Sequence, residues 1–229
     1  MIRFVEETGS TNDDLTALAR DGAAEGLWLR AERQTGGRGR QGRGWHSPPG
    51  NLYASTLVRL RPGDPPPPTL ALVAAVALHE VVQAFAPGHD VRIKWPNDLL
   101  VGGAKLSGIL LERAEDAVVI GFGVNLARHP EGLDRPVTSL AALMGSAPDV
   151  DAFLETLSQS FARWLGIWRS EGIAPIRKSW MLAAHPLGTA LSTAQGDGLF
   201  DGLDENGALR LRLADGSARV IHAGDVLLI

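Results

Sequence analysis

No cysteine occurs anywhere in the 229 residues, which excludes disulfides and thiolate metal sites and fits a reducing cytoplasm. Basic charge is not in excess either. The formal net charge is −4, so the molecule as a whole has no field to gather nucleic acid, and any anion it binds must be caught locally. The longest apolar run, Leu70–Leu78, is too short to span a bilayer and ends at His79 and Glu80. The opening residues, MIRFVEE, show no basic stretch followed by an apolar one, so no secretory signal is visible and a soluble protein is expected. No repeat at solenoid periods is present. Several chemistries fall with their motifs. There is no G-x-x-x-x-G-K-S/T, so an ATP site here is not a P-loop. Gly121-Phe122-Gly123 lacks the third glycine and the following helix of a dinucleotide fingerprint. There is no G-x-S-x-G of a serine hydrolase. Gln83 stands where H-E-x-x-H, begun at His79-Glu80, needs its second histidine, and the six histidines show no ligand spacing.

What is present suffices for one substantial core: 45% of residues are hydrophobic and 21% charged. Ile2–Glu7 reads as a strand and GSTNDDLTALAR as a helix, with Ser10, Thr11 or Asn12 as cap and Asp13 and Asp14 at its positive end. Leu27–Glu32 and Asn51–Leu60 read as strands. After a proline-rich connection, Thr69 opens a helix with Leu70, Val73, Ala74, Ala77 and Val81 on one face. Val91–Trp95 alternates, with Val91, Ile93 and Trp95 opposite Arg92 and Lys94. DLLV, AKLSGILLE and AVVIGFGV follow as a meander around a Gly102-Gly103 turn. A long helix from about Asp149 buries Val150, Phe153, Leu154, Leu157, Phe161, Trp164, Leu165 and Trp168. Beyond Pro186, short β-like runs between Gly, Asp and Asn turns form a module too small to be comfortable alone, which is expected to pack on the rest. The expected fold is α+β: a mixed, mostly antiparallel sheet with flanking helices over residues 1–184, and a small β-barrel over 185–229.

Chemistry concentrates in a few stretches. TGGRGRQGRGWHSPPGN, Thr35–Asn51, has six glycines and three arginines and little to bury. Backbone N–H groups freed by glycine make an anion-binding concavity, and guanidinium grips phosphate bidentately. Five arginines face one glutamate from Arg30 to Arg43. A slack surface loop and an RNA-binding arginine–glycine segment compete with a nucleotide grip; Gln34 and Trp45, a stacking surface, favour the nucleotide. KWPND, Lys94–Asp98, is either an ordinary turn or a carboxylate, Asp98, for Mg²⁺ or another cation. In Ala104–Gly108, pleat geometry puts Lys105 and Ser107 on one face and Leu106 on the other. Gly108, and the GFGVN of Gly121–Asn125, suggest a ligand close to the backbone.

GSTN, AERQTGGRGRQGRGWHSPPGNLYAS, KWPNDLLV, KLSGILLE and GFGVNL, in this order, resemble the biotin protein ligase family over most of residues 1–127, and GLDENGALRLRLADG resembles that family's C-terminal SH3-like barrel. The resemblance implies a class II aminoacyl-tRNA synthetase-like catalytic domain and two steps: biotin and ATP give biotinyl-5′-AMP, then a lysine of a biotin carboxyl carrier protein takes the biotinyl group. By position, Ser10, Thr11 and Asn12 match contacts to biotin's ureido ring, with Gln34, Gly37, Arg38 and Gly39 beside them. Gly108, Gly121 and Gly123 match the glycines of the biotin slot. Arg38 and Arg40 match the adenylate grip, Trp45 the side chain over adenine, and Lys105, with Arg40, the catalytic cations. Asn125 matches a residue near adenine or metal, and Asp98 a carboxylate linked to Mg²⁺. The arginine–glycine loop is then expected to be ordered by ligand. The chain resembles the ligase-only kind, without a DNA-binding domain. A lipoate–protein ligase or octanoyltransferase of the same fold is the nearest rival; a non-catalytic regulator and an RNA-binding protein stand further off. An edge strand is available to pair with a second copy.

Overall fold

The computed structural model describes residues 1–229. The first strand, β1 (Ile2–Thr8), crosses over through helix α1 (Thr11–Arg20) to a parallel neighbour, β2 (Trp28–Gln34). Then come β3 (Leu52–Arg59), α2 (Leu70–Phe85), β4 (Val91–Lys94), β5 (Asp98–Val101), β6 (Ala104–Ala114) and β7 (Ala117–Val124). The sheet order is β1-β2-β3-β7-β6-β5-β4, and every pair except the first is antiparallel. This is the expected mixed sheet. Helices α3 (Leu140–Met144), α4 (Val150–Glu171) and α5 (Ile173–Ala183) follow. Five short strands complete the chain: β8 (Ala190–Thr193), β9 (Gly196–Leu203), β10 (Leu209–Arg212), β11 (Ala218–Ile221) and β12 (Val226–Leu228), all antiparallel in the order β11-β10-β9-β8-β12.

The period of two along β7 explains the layering. Val118, Ile120, Phe122 and Val124 face the large core under α2 and α4, while Ala117 and Val119 face a smaller cluster under α1 with Leu15, Ala19 and Leu29. On that second face the next two positions are Gly121 and Gly123. Covered at one end by α1, the face is left open at the other.

Helix α4 starts at Asp149, whose carboxylate accepts from the Ala152 amide at 2.8 Å. Helix α2 departs from the expected single stripe: ten of its residues are buried, Leu72, Ala75 and Val76 among them, because it is sandwiched between sheet and helices. With the proline turn before it, Pro67–Phe85 is long and apolar enough to cross a membrane, yet it is mostly buried inside this fold. Helix α5, unread in the sequence, carries Trp180 against Phe200 of the barrel, ring centroids 6.3 Å apart. The Trp95 indole N–H donates to the Gly207 carbonyl at 3.3 Å. The two contacts seat the barrel on α5 and on the end of β4, in one continuous core.

Candidate active site

The open end of the α1 face is a cleft floored by glycines. Residues 108, 110 and 112 of β6 and 121 and 123 of β7 share that face. A side chain at Gly123 would lie 2.6–2.8 Å from three atoms of the Trp45 indole, and one at Gly121 would collide with the Asn12 carboxamide. Glycine is needed here for close approach, since neither residue has positive φ. Ser10, Thr11, Asn12 and Gln34 line one end of the cleft; Arg40, Arg43, Lys94, Lys105 and Arg135 line the other.

The first end is a buried polar cluster. Ser10, Thr11 and Asn12 are each 4% exposed. Ser10 holds the N-cap position of α1 without capping through its side chain. Thr11 reaches Gln34 Oε1 through its amide at 2.9 Å and its hydroxyl at 3.1 Å, and Ser55 Oγ at 2.7 Å.

A flap over residues 36–47 closes the cleft. It turns tightly, with a bridge between Arg38 and Gly44, and the Trp45 amide donates to the Gly37 carbonyl at 2.9 Å. Ser47 Oγ, the Trp45 carbonyl and Gln34 Nε2 crowd Gly37 to within 3.0 Å of where a Cβ would stand. Little in this loop could hold it, as the sequence implied; acids from elsewhere do. Arg38 donates to both oxygens of Asp13 at 2.5 Å and to Glu112 at 3.0 and 3.1 Å. The Arg38 guanidinium in turn holds the Asp13 carboxyl below its usual range. Arg40 donates to the Gly224 carbonyl at 3.1 Å, and Arg43 to Asp225 at 2.9 Å. Burial would raise the Asp225 carboxyl, but the Arg43 hydrogen bond and the charges of Arg43 and Arg40 outweigh it and hold it low. Asp225 comes from the barrel, so the second sheet completes the cleft.

Lys105 is the central cation. Its Nζ lies 2.5 Å from Asp98 Oδ1 and 5.6 Å from the centre of the Trp45 ring; Lys94 Nζ is 3.9 Å from Asp98 Oδ2. Burial lowers the basicity of both lysines, against the pull of Asp98. Lys105 reaches the cleft because β6 carries an irregularity opposite Leu99/Leu100, where Leu99 pairs Ser107 and Leu100 pairs Lys105. The expectation that Lys105 and Ser107 share a face therefore needs correction. Lys105 and Gly108 line the cleft, while Ser107 is buried and donates to the Gly123 carbonyl at 2.7 Å.

Of the residues singled out in the sequence, the cleft brings together Ser10, Thr11, Asn12, Gln34, Arg38, Gly39, Arg40, Trp45, Asp98, Lys105, Gly108, Gly121 and Gly123. Gly37 supports the flap from behind. Asn125 is not in the lining: it is 2% exposed and donates to the Thr138 carbonyl at 3.1 Å. Asp98 is taken by two ammonium groups, and no group of three His, Asp or Glu side chains is placed to hold a metal ion. A protein-held Mg²⁺ at Asp98 and Asn125 does not fit these residues. Sequence reading missed Arg43, Lys94, Arg135, Asp225, Ser55 and Glu112. Alternation already set Lys94 on the polar side of its strand, and the pleat sets Glu112 on the face of Gly108. Asp225 carries no local signal at all.

The chemical sense of the cleft is a neutral hydrogen-bonding end, a glycine-floored middle and a cation-rich end. Residues 6–125 match the biotin/lipoate A/B protein ligase family, and residues 197–228 the biotin protein ligase C-terminal domain. The chain is 39% identical to the biotin–(acetyl-CoA-carboxylase) ligase of Paracoccus denitrificans, over 97% of this chain and 98% of that one. Its fold is similar to that of the biotin protein ligase from Aquifex aeolicus in complex with biotin and ATP, with a TM-score of 0.89 at 25% identity over 100% of this chain and 99% of that one. It is also similar to the Leishmania major biotin protein ligase in complex with biotinyl-5-AMP, with a TM-score of 0.72 at 25% identity over 97% and 98% of the two chains. The chain belongs to the biotin/lipoate A/B protein ligase family, on its biotin protein ligase branch.

Proposed function

We propose that the protein activates biotin with ATP to biotinyl-5′-AMP and transfers the biotinyl group to a lysine of a biotin carboxyl carrier protein. The observation that carries this is the polarity of the cleft around Lys105. A carboxylate is a poor electrophile, so it must first become an anhydride. One carboxylate oxygen bonds to the α-phosphorus of ATP, the bond to the β-phosphate breaks, and pyrophosphate leaves. Two anions must be brought together for that, and the desolvated Lys105 ammonium, between neutral cluster and arginine flap, is placed to neutralise them. The carrier's lysine amine then attacks the acyl carbon; AMP leaves with the mixed anhydride's bridging oxygen, and the amine gives up its proton.

In this reading Ser10, Thr11, Asn12 and Gln34 meet the ureido ring, and Gly108, Gly121 and Gly123 let the bicycle and its chain lie against the sheet. Arg38 and Arg40 close over the adenylate, and Trp45 shields it from water. An apolar lipoyl or octanoyl group would leave the buried polar cluster unpaired, which disfavours the lipoate alternative. Mg²⁺ belongs with the nucleotide's phosphates, since Asp98 is engaged by lysines. Residues 1–184 serve as the catalytic domain and 185–229 as the barrel that anchors the flap. The open edge at β1 offers a place for a second copy, and a cytoplasmic setting suits the ATP requirement.

The test is incubation with biotin, MgATP and a biotinyl carrier domain, read by intact mass, with lipoate in a parallel reaction. A biotinyl adduct on the carrier and pyrophosphate release with biotin alone are expected. Turnover with lipoate and none with biotin would reverse the assignment.

A further inference from the structure

Hydrogen bonds join the polar end of the cleft, and one residue outside its lining directs those that run through Asn12. Glu112, on β6, accepts from Asn12 Nδ2 at 2.6 Å and from Arg38 Nη2 at 3.0 and 3.1 Å. Paired to a guanidinium it is a carboxylate, and a carboxylate only accepts. The Asn12 carboxamide therefore turns its nitrogen to Glu112, with the Leu110 carbonyl a longer second acceptor at 3.5 Å, and its oxygen to Ser55, whose hydroxyl donates to that oxygen at 2.6 Å. A hydroxyl has one proton. Ser55 has given its own, so it accepts from Thr11 Oγ1 at 2.7 Å. The Thr11 proton is thus committed to Ser55, with Gln34 Oε1 a longer neighbour at 3.1 Å, and the lone pairs of Thr11 Oγ1 are what the cleft receives. Gln34 Oε1 also takes the Thr11 amide, which turns Gln34 Nε2 towards Ser47 at 3.3 Å; Ser47 donates to the Trp45 carbonyl at 3.1 Å. The chain of bonds begins at Arg38 and ends at Trp45, both on the flap.

We infer that Glu112 is a positioning residue that sets specificity. By accepting from Asn12 and Arg38 together, it orients Ser55 and Thr11 so that the cleft offers acceptors to the N–H groups of a cyclic urea, and it ties that orientation to the place of the flap. The ligand in this inference rests on the biotin reading; the residue and the route are additional to it. Ser55, fully buried on β3, is the link through which Glu112 acts on Thr11. A glutamine at 112 would keep the size but offer a donor as well as an acceptor, and the orientation would no longer be forced.

The experiment uses the full chain. Pyrophosphate release is followed against biotin and against ATP for wild type, Glu112→Gln, Glu112→Asp, Asn12→Ala and the Asn12→Ala/Glu112→Gln double variant, with thermal unfolding of each. Glu112→Gln should raise KM for biotin about tenfold, with KM for ATP within about twofold, because Asp13 still holds Arg38 through both its oxygens. Its thermal midpoint should stay within about 2 °C of wild type, because the side chain is partly exposed. Glu112→Asp keeps the charge and should recover most of the loss. In the Asn12→Ala background Glu112→Gln should add less than about twofold, since the route runs through Asn12. The inference is overturned if KM for biotin stays within about twofold in Glu112→Gln, if both KM values rise together with a fall in thermal midpoint, or if the two substitutions are fully additive. Failure of the biotin reading itself would show separately, as no biotin-dependent pyrophosphate release from wild type.

Discussion

Substituting Lys105 by methionine removes the ammonium and keeps most of the stem that lies by Trp45. Two consequences separate cleanly. In the folded protein Lys105 and Asp98 form a pair at 2.5 Å, their side chains 13% and 12% exposed. Removing one partner of a buried pair costs about 3–5 kcal/mol when the other charge is orphaned. Here Lys94 stays 3.9 Å from the same carboxylate, so a smaller loss is expected, about 1–3 kcal/mol, or roughly 2–12 °C in thermal midpoint for a chain of this size. Adenylate formation loses the cation set where charge develops, and should fall about 10²–10³-fold. The Lys105→Met/Asp98→Asn variant then removes both charges. Its stability should return only partway towards wild type, because Lys94 then loses the carboxylate 3.9 Å away, while its rate should stay low. Pyrophosphate release with biotin and ATP, read beside thermal unfolding, distinguishes the two. If the double variant regained its rate in step with its stability, Lys105 would be no more than the counter-ion of Asp98, and the catalytic reasoning would be wrong.

Three other predictions concern neighbouring features. Gly123→Ala places a methyl within 2.6–2.8 Å of the Trp45 indole; the flap should yield before the strand does, raising KM for biotin about tenfold while costing at most ~1–3 kcal/mol of stability, and unchanged biotin kinetics would refute the close approach. Asp225→Asn releases Arg43 and leaves Arg40 only its bond to the Gly224 carbonyl, so trypsin should cut the flap faster. The midpoint should hardly move, because these pairs are partly exposed and worth only ~0.5 kcal/mol; equal cleavage of variant and wild type would show that the barrel does not hold the flap. Burial lowers the basicity of Lys105 and Lys94, so between the folded values and the ordinary lysine value the unfolded chain binds more protons. Their contribution to stability therefore rises with pH across that window, while adenylation falls as the Lys105 ammonium is lost. Rate and thermal midpoint measured as pH rises towards the ordinary lysine value, about 10.4, should show the rate declining first; a midpoint falling ahead of the rate would contradict the assignment.

Local periodicity made much of the fold legible. The alternation of Val91–Trp95 and the glycine turn at Gly102-Gly103 are decided by neighbours in the chain, and the structure follows them. Helix α2 was found, but its burial all round was not, because a stripe measures one covering face and this helix has two. The irregularity in β6 escaped for a related reason: a register shift depends on the partner strand, and a period of two assumes none. In the site, glycines and arginines announced themselves by composition. Asn125 was drawn in by its place after GFGV, yet its amide serves the Thr138 carbonyl. Ser55 and Asp225 look like ordinary strand and turn residues; what makes them matter is what the fold brings to them from 43 and 182 positions away.

The bond from Arg40 to the Gly224 carbonyl closes a loop of 184 residues. A contact so distant in the chain cannot form early, because nearly everything between must already be in place. Molecules still on their way to the native state therefore have a gate fastened only at Arg38, even with the first sheet built. A reactive acyl phosphate would be poorly retained by such molecules, so competence to hold it serves as a check that assembly has finished.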